Sequence, residues 1–273
     1  MTYYEILKHI RMFMRETYRM SNTEKLTKDI RVCSIMGVNI AEIDLRVLED
    51  FTKEYIQQLS GHYMCVSNVH TTVMAYENEK YKEVQNDAVL AIPDGGPLSS
   101  VGRKRGFPKM QRTPGPSYLQ NILSISEKYG YRHFFYGSKP ETLEKMKSVI
   151  LEKYPGIQIV GMISPPFREL TAKEDQEYID MINASMPDFL WVGLGAPKQE
   201  YWMAEHRGKI KGFMVGVGAG FDYLAGNIKR APQWMQNHNL EWLYRLIQDP
   251  KRLFKRYLIT NIKFIWYACI KGK

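Results

Sequence analysis

The chain has 273 residues, of which 44% are hydrophobic and 25% charged, with a formal net charge of +9. That length suits one large domain, or a domain with a small appendage, and buries a core without a disulfide scaffold; Cys33, Cys65 and Cys269 are odd in number, lack metal-ligand spacing and read as buried free thiols in a reducing compartment. The opening "MTYYEILKHIRMFMRETYRM" has no leader-like apolar stretch, and "FIWYACI" near the C-terminus falls far short of the roughly 20 apolar residues a bilayer requires, so the expectation is a cytoplasmic protein with peripheral membrane contact at most.

Residues 1–30 read as an N-terminal helical extension, and residues 31–60 as the first strand-helix unit of a main domain. "YMCVSNV" follows as a strand that delivers Ser67, Asn68 and His70 to its end. The run "AVLAI" then breaks into "PDGGP", where Pro fixes φ and the glycines permit an immediate turn, so Asp94 is carried out of a sheet edge. An Asp-Gly turn or helix cap explains Asp94 on its own; so does an acid at the C-terminal edge of a parallel strand, where open α/β sheets bind ligands.

The strands "HFFYG", "IQIVGMI", "FLWVGLG" and "FMVGVGA" complete the series as continuous apolar runs, the pattern of strands covered on both faces. Between them lie "PETLEKMKSVILEKY", with Ser138 and Glu141 spaced as a capping box, and "AKEDQEYIDMINA", with Thr171 and Glu174 spaced likewise. This alternation predicts an α/β, Rossmann-like fold with a mostly parallel sheet. Two strand ends are rich in glycine: "VGLGAPKQE" offers Lys198 and Gln199 at a helix start primed by Pro197, and "VGVGAGFDYLAG" places Gly216, Gly218 and Gly220 ahead of Asp222. The second lacks the spacing of a nicotinamide fingerprint.

The core is expected over residues 31–235, and a wholly helical, basic appendage over 236–273. The appendage holds eight Lys or Arg against Glu241 and Asp249, so most of the positive charge is local and does not suggest nucleic-acid binding. Phe254, Leu258, Ile262, Ile265 and Cys269 form a stripe at helical spacing, suited to docking on the protein's own domain, to a dimer contact or to an anionic membrane surface.

The segments "IPDGGP", "QRTPG", "GLGAPKQE", "GVGAGFDYLAG", "KRAP" and "LEWLYRL" occur in the order and approximate spacing of the bacterial TagA/WecG/CpsF glycosyltransferases, over about residues 31–258. The resemblance implies an inverting transfer of a sugar from a UDP-sugar, of the N-acetylmannosamine, uronic acid, glucose or glucuronic acid type, to a polyprenyl-diphosphate-linked saccharide. It assigns Asp94 as the base, with Asn68, Arg112 and Gln199 beside it, and Gly195, Lys198, Gly218, Phe221, Asp222 and Gly226 to the nucleotide. Val66 stands where relatives carry Thr, so a hydroxyl contact is either missing or taken over by Ser67, His70 or Thr71.

Arg245, Arg252, Lys255 and Arg256 stand at or beside places where the family's appendage is thought to supply cations to the diphosphate. With no D-x-D pair, no cofactor and no metal are expected. The implied partners are the UDP-sugar, the lipid-linked acceptor and an anionic membrane surface on the cytoplasmic side, while a homo-oligomer is neither required nor excluded.

Overall fold

A computed structural model describes residues 26–272, save the side chains of Asn237 and Cys269. The expected N-terminal extension falls mostly on residues outside that span, and from Val32 onward the chain forms one compact unit. Its eight strands are β1 (Val32–Ile35), β2 (Val38–Ala41), β3 (Tyr63–Ser67), β4 (Leu90–Pro93), β5 (Arg132–Gly137), β6 (Gln158–Ile163), β7 (Phe189–Gly193) and β8 (Phe213–Gly216). They lie in the order β1-β2-β4-β3-β8-β7-β5-β6, and every neighbouring pair except β1 with β2 is parallel.

The α/β reading therefore holds, with one correction at its start. Residues 31–60 form an antiparallel hairpin before their helix, not a single strand, because Met36 and Gly37 both adopt positive φ (54° and 83°), the pattern of a tight hairpin turn. Met-Gly does not advertise that turn as Asn-Gly would. In the middle of the sheet β3 is buried throughout, and Phe189, Leu190, Trp191 and Val192 of β7 are inaccessible, which explains the unbroken apolar runs.

Helices α1 (Leu45–Tyr55), α2 (Val69–Glu77), α3 (Glu79–Asn86), α4 (Gly96–Lys104), α5 (Gly115–Tyr129), α6 (Pro140–Lys153), α7 (Ala172–Ala184), α8 (Lys198–Glu205) and α9 (Gly220–Leu224) flank the sheet. Thr171 and Glu174 form the expected capping box of α7. The one expected at α6 does not form: Lys139 is the cap residue, and Ser138 is held at φ 63°. Its N–H donates to the Gly193 carbonyl at 3.2 Å and its own carbonyl accepts from Ser164 Oγ at 2.7 Å, so strand-end pairing overrides the local cap.

The appendage is helical throughout, as α10 (Gln233–Asn237), α11 (Glu241–Gln248), α12 (Pro250–Phe264) and a π-helical turn, Ile265–Ile270. Helix α12 packs on α2, turning Leu253, Thr260 and Phe264 inward, and Ala268 of the π-helical turn is buried after them. Lys263 pairs with Glu77 at 2.6 Å, and Tyr267 packs on Tyr76 with ring centroids 4.5 Å apart. The stripe read from the sequence is not the docking face: Phe254, Leu258, Ile262 and Ile265 remain exposed, at 50–60% of their full area. Among the described residues no helix is long and apolar enough to cross a membrane.

Candidate active site

The carbonyl ends of β3, β4, β5, β7 and β8 open into a single cleft of about 1000 Å³, whose far wall is built by α11 and α12. Asp94 leaves β4 at this edge, its N–H donating to the Ser67 carbonyl at 2.8 Å. Its Oδ1 accepts from the N–H of Gly115, the first residue of α5, at 3.2 Å. Gly115 packs closely on β3: a Cβ there would lie 3.0 Å from Val66 Cγ1, so the valine would have to shift to admit one. Enclosure in the cleft wall raises the Asp94 pKa against the opposing pull of Arg112; Glu241 adds to the rise, while Gly115 and Arg245 reduce it.

Asn68 does two things. It caps α2, with Oδ1 accepting from the N–H groups of His70 (3.0 Å) and Thr71 (3.2 Å), and it lines the cleft. Of the three residues offered as substitutes for the hydroxyl missing at Val66, Ser67 is fully buried and donates to Gln85 Oε1 at 2.6 Å. Thr71 is buried within the capping box. Thr71 and His70 both line the cleft; the Thr71 hydroxyl is spent on the Asn68 backbone, while His70 is held neutral because burial, with Arg256 nearby, lowers its pKa to about 4.

Arg112 is heavily engaged. Its Nε donates to the backbone carbonyl of Asp94 at 3.1 Å, its Nη1 to the carbonyl of Gln236 at 3.4 Å, and its Nη2 pairs with Glu241 of α11. Gln199 is buried and braces the β7 loop: Oε1 accepts from the Gly195 N–H at 3.2 Å while Nε2 donates to Glu200 at 2.8 Å. Glu200 is itself buried, and desolvation raises its pKa.

Gly195 and Gly218 face the cleft at φ 79° and 49°, conformations that favour glycine, and Asp222 lines it beside them. Asp222 accepts from Asn227 Nδ2 at 3.2 Å, and Asn227 Nδ2 also donates to Thr142 Oγ1 at 3.0 Å. Phe167 stands at this end of the cleft, 82% exposed, on a loop tied down by Ser164 on one side and the Arg168–Glu174 pair on the other.

Arg245, Arg252 and Arg256 reach the cleft from the appendage. The Arg245 guanidinium lies over the Tyr223 ring at 5.7 Å, and the Nε atoms of Arg245 and Arg256 are buried without a hydrogen-bond partner among the described residues. Lys255 is exposed and outside the lining; its neighbour Arg256 takes the inward position. Lys198 and Gly226 are likewise exposed and outside it. Phe221 is buried beneath the floor, 5.7 Å from Phe135 ring to ring and so close to Gly193 that a Cβ there would sit 2.6 Å away.

Sequence reasoning left Phe167, Tyr223, Asn227 and Glu241 without roles, although Glu241 opens "EWLYRL". The described residues contain no group of three His, Cys, Asp or Glu side chains placed to hold a metal ion.

Comparison with known proteins was made against this geometry. The profile of the glycosyl transferase WecG/TagA/CpsF family matches residues 33–273. Similar curated proteins carry the name N-acetylglucosaminyldiphosphoundecaprenol N-acetyl-beta-D-mannosaminyltransferase. That of Bacillus subtilis (strain 168) is 32% identical over 217 residues, covering 77% of this chain and 83% of its own. That of Bacillus spizizenii is 31% identical, covering 72% and 76%, and that of Staphylococcus aureus (strain MW2) 26% identical, covering 93% and 95%.

Proposed function

The chain belongs to the WecG/TagA/CpsF family of glycosyl transferases, and on that premise we propose that it transfers N-acetylmannosamine from UDP to GlcNAc carried on undecaprenyl diphosphate. The donor is read as UDP-linked and the acceptor as lipid-linked, in synthesis of a cell-wall polymer. One observation carries the reading: the Asp94 carboxylate lines the cleft with no ion pair to a cationic side chain among the described residues, while Arg245, Arg252 and Arg256 line the same cleft from the appendage.

In this reading Asp94 takes the proton of the acceptor hydroxyl as that oxygen attacks the anomeric carbon from the face opposite UDP. The new C–O bond forms as the bond to the β-phosphate oxygen breaks, the electron pair leaves with UDP, and the anomeric configuration inverts. A raised pKa makes Asp94 the stronger base once ionised. The departing diphosphate gains negative charge, and in this reading Arg245, Arg252 and Arg256, which line the cleft, balance it without a divalent ion. Asn68 and the neutral His70 address sugar hydroxyls; Asp222, Asn227 and the open loop glycines take the nucleoside, with Phe167 stacking on its base.

The exposed stripe Phe254, Leu258, Ile262 and Ile265, with Trp266 and the neighbouring Lys251, Lys255 and Lys271, supports peripheral attachment to an anionic membrane, where the lipid acceptor resides. The decisive assay is UDP release from UDP-N-acetylmannosamine with a synthetic GlcNAc-diphosphate lipid, with and without chelator. Release that requires both substrates and persists in chelator is the expected result; release lost in chelator would replace the arginines with a metal, and no release with any donor would remove the reading.

A further inference from the structure

Among the described residues Glu241 is the only carboxylate that the appendage contributes to the cleft lining, and it is 9% exposed. Two arginines from elsewhere in the chain converge on it: Arg112 pairs through Nη2, and Arg230 Nε lies 3.7 Å from Oε1. Each arginine continues to Asp94 by a different route. Arg112 Nε holds the Asp94 backbone carbonyl at 3.1 Å. Arg230 donates to Gln120 (3.1 Å) and Ser117 (2.8 Å) of α5, whose first residue, Gly115, holds the Asp94 carboxylate.

The same joint is pressed close on a third side. Gly96, two residues past Asp94, lies so near Asn239 that a Cβ there would come within 2.4 Å of its side chain. A buried carboxylate between two guanidiniums is costly to break, since removing one partner leaves charge uncompensated.

We propose that Glu241 is a positioning residue for the transfer: by gripping Arg112 and Arg230 together it sets both the backbone and the carboxylate of the Asp94 segment once the appendage is seated. Glu241 also pairs with the Nη2 end of Arg112, whose charge without that partner acts more strongly on the Asp94 carboxylate and acidifies the base. The proposal rests on the reading of Asp94 as base, and its test is built to separate the two.

The experiment compares full-length Glu241→Gln, Arg112→Lys, their double variant and Asp94→Asn for UDP affinity and for the pH dependence of kcat. UDP affinity is expected to hold in Glu241→Gln while kcat falls about 10- to 100-fold, the scale of a small misplacement at a reacting centre. The acidic limb of the kcat profile moves to lower pH, because of the groups that face Asp94 (Arg112, Arg245, Glu241 and Tyr223) the variant removes the one carboxylate. The double variant is expected to be no worse than the weaker single one, as both cut the same path.

An unmoved kcat and limb in Glu241→Gln, with Asp94→Asn inactive, overturns the positioning role alone. Multiplying losses in the double variant do the same. Normal turnover in Asp94→Asn removes the base and this inference with it. Should Glu241→Gln lose UDP binding, Glu241→Asp carries the test: the limb stays in place while kcat falls, and an unchanged kcat overturns the proposal.

Discussion

Arg112 holds Asp94 by its backbone carbonyl, at 3.1 Å from Nε, and not by its carboxylate. A guanidinium paired with the carboxylate would have stabilised its charged form and weakened it as a base. Bound as it is, Arg112 fixes the position of the acid, and the carboxylate keeps one backbone N–H, from Gly115, as its hydrogen-bond partner.

Replacing Asp94 with Asn keeps the shape and the Gly115 contact but cannot accept a proton. Turnover is expected to drop by about 10²- to 10⁴-fold, the range of general-base catalysis, with UDP affinity unchanged. Single-turnover kinetics with calorimetric UDP binding check this; turnover within a few-fold of the parent eliminates Asp94 as base.

Phe167→Ala addresses the nucleoside end of the cleft. The ring is 82% exposed on an anchored loop, so its removal disturbs no core packing. Loss of one base-aromatic stack, ~1–3 kcal/mol, corresponds to a UDP dissociation constant raised roughly tenfold or more. An unaltered dissociation constant would place the base elsewhere.

The double substitution Leu258→Glu and Ile262→Glu reverses the character of the outer face of α12 without touching its buried face of Leu253, Thr260 and Phe264. Binding to vesicles rich in anionic lipid is expected to fall sharply, while transfer to a short, water-soluble acceptor is retained. Cosedimentation and the soluble assay read these separately, and undiminished vesicle binding would sink the membrane-facing role of this stripe.

Acid sensitivity follows from buried imidazoles. Desolvation lowers the pKa of His133, which accepts from Trp191 Nε1 at 3.0 Å, to about 3, and that of His70 to about 4. Below the unfolded value of about 6.5 the unfolded chain takes up protons that the folded chain refuses, so stability is complete above that pH and falls as pH drops toward the folded values. Each such proton is worth ~1.4 kcal/mol per pH unit. Urea unfolding between about pH 6.5 and 5 is expected to show this slope, and His133→Gln to flatten it; an identical slope in the variant assigns the effect to other groups.

Much of the site was legible because it is written locally. An apolar run ended by Pro-Asp-Gly-Gly-Pro brings Asp94 to the sheet edge whatever surrounds it, and the glycine-rich ends of β7 and β8 mark backbone open to a ligand. The Thr171–Glu174 cap is likewise a contact within one turn. Ser138 carried the same signal, but its backbone is claimed by Gly193 on a strand 55 positions away, a partner that no local pattern contains.

Periodicity also failed to say which side of α12 is buried, because both its faces carry apolar residues at helical spacing. Packing on α2 selected Leu253, Thr260 and Phe264 and left the more conspicuous stripe outside. Glu241 looks like one of two acids relieving a basic tail until the fold brings Arg112 and Arg230 to it. The sequence by itself determined most of the elements, the mostly parallel character of the sheet and the residues at the ends of its central strands, since these depend on neighbours a few positions apart. Which of those ends meet in the cleft, and which arginines face it, only the tertiary structure decided, because burial and ion pairing act between groups more than a hundred residues apart in the chain.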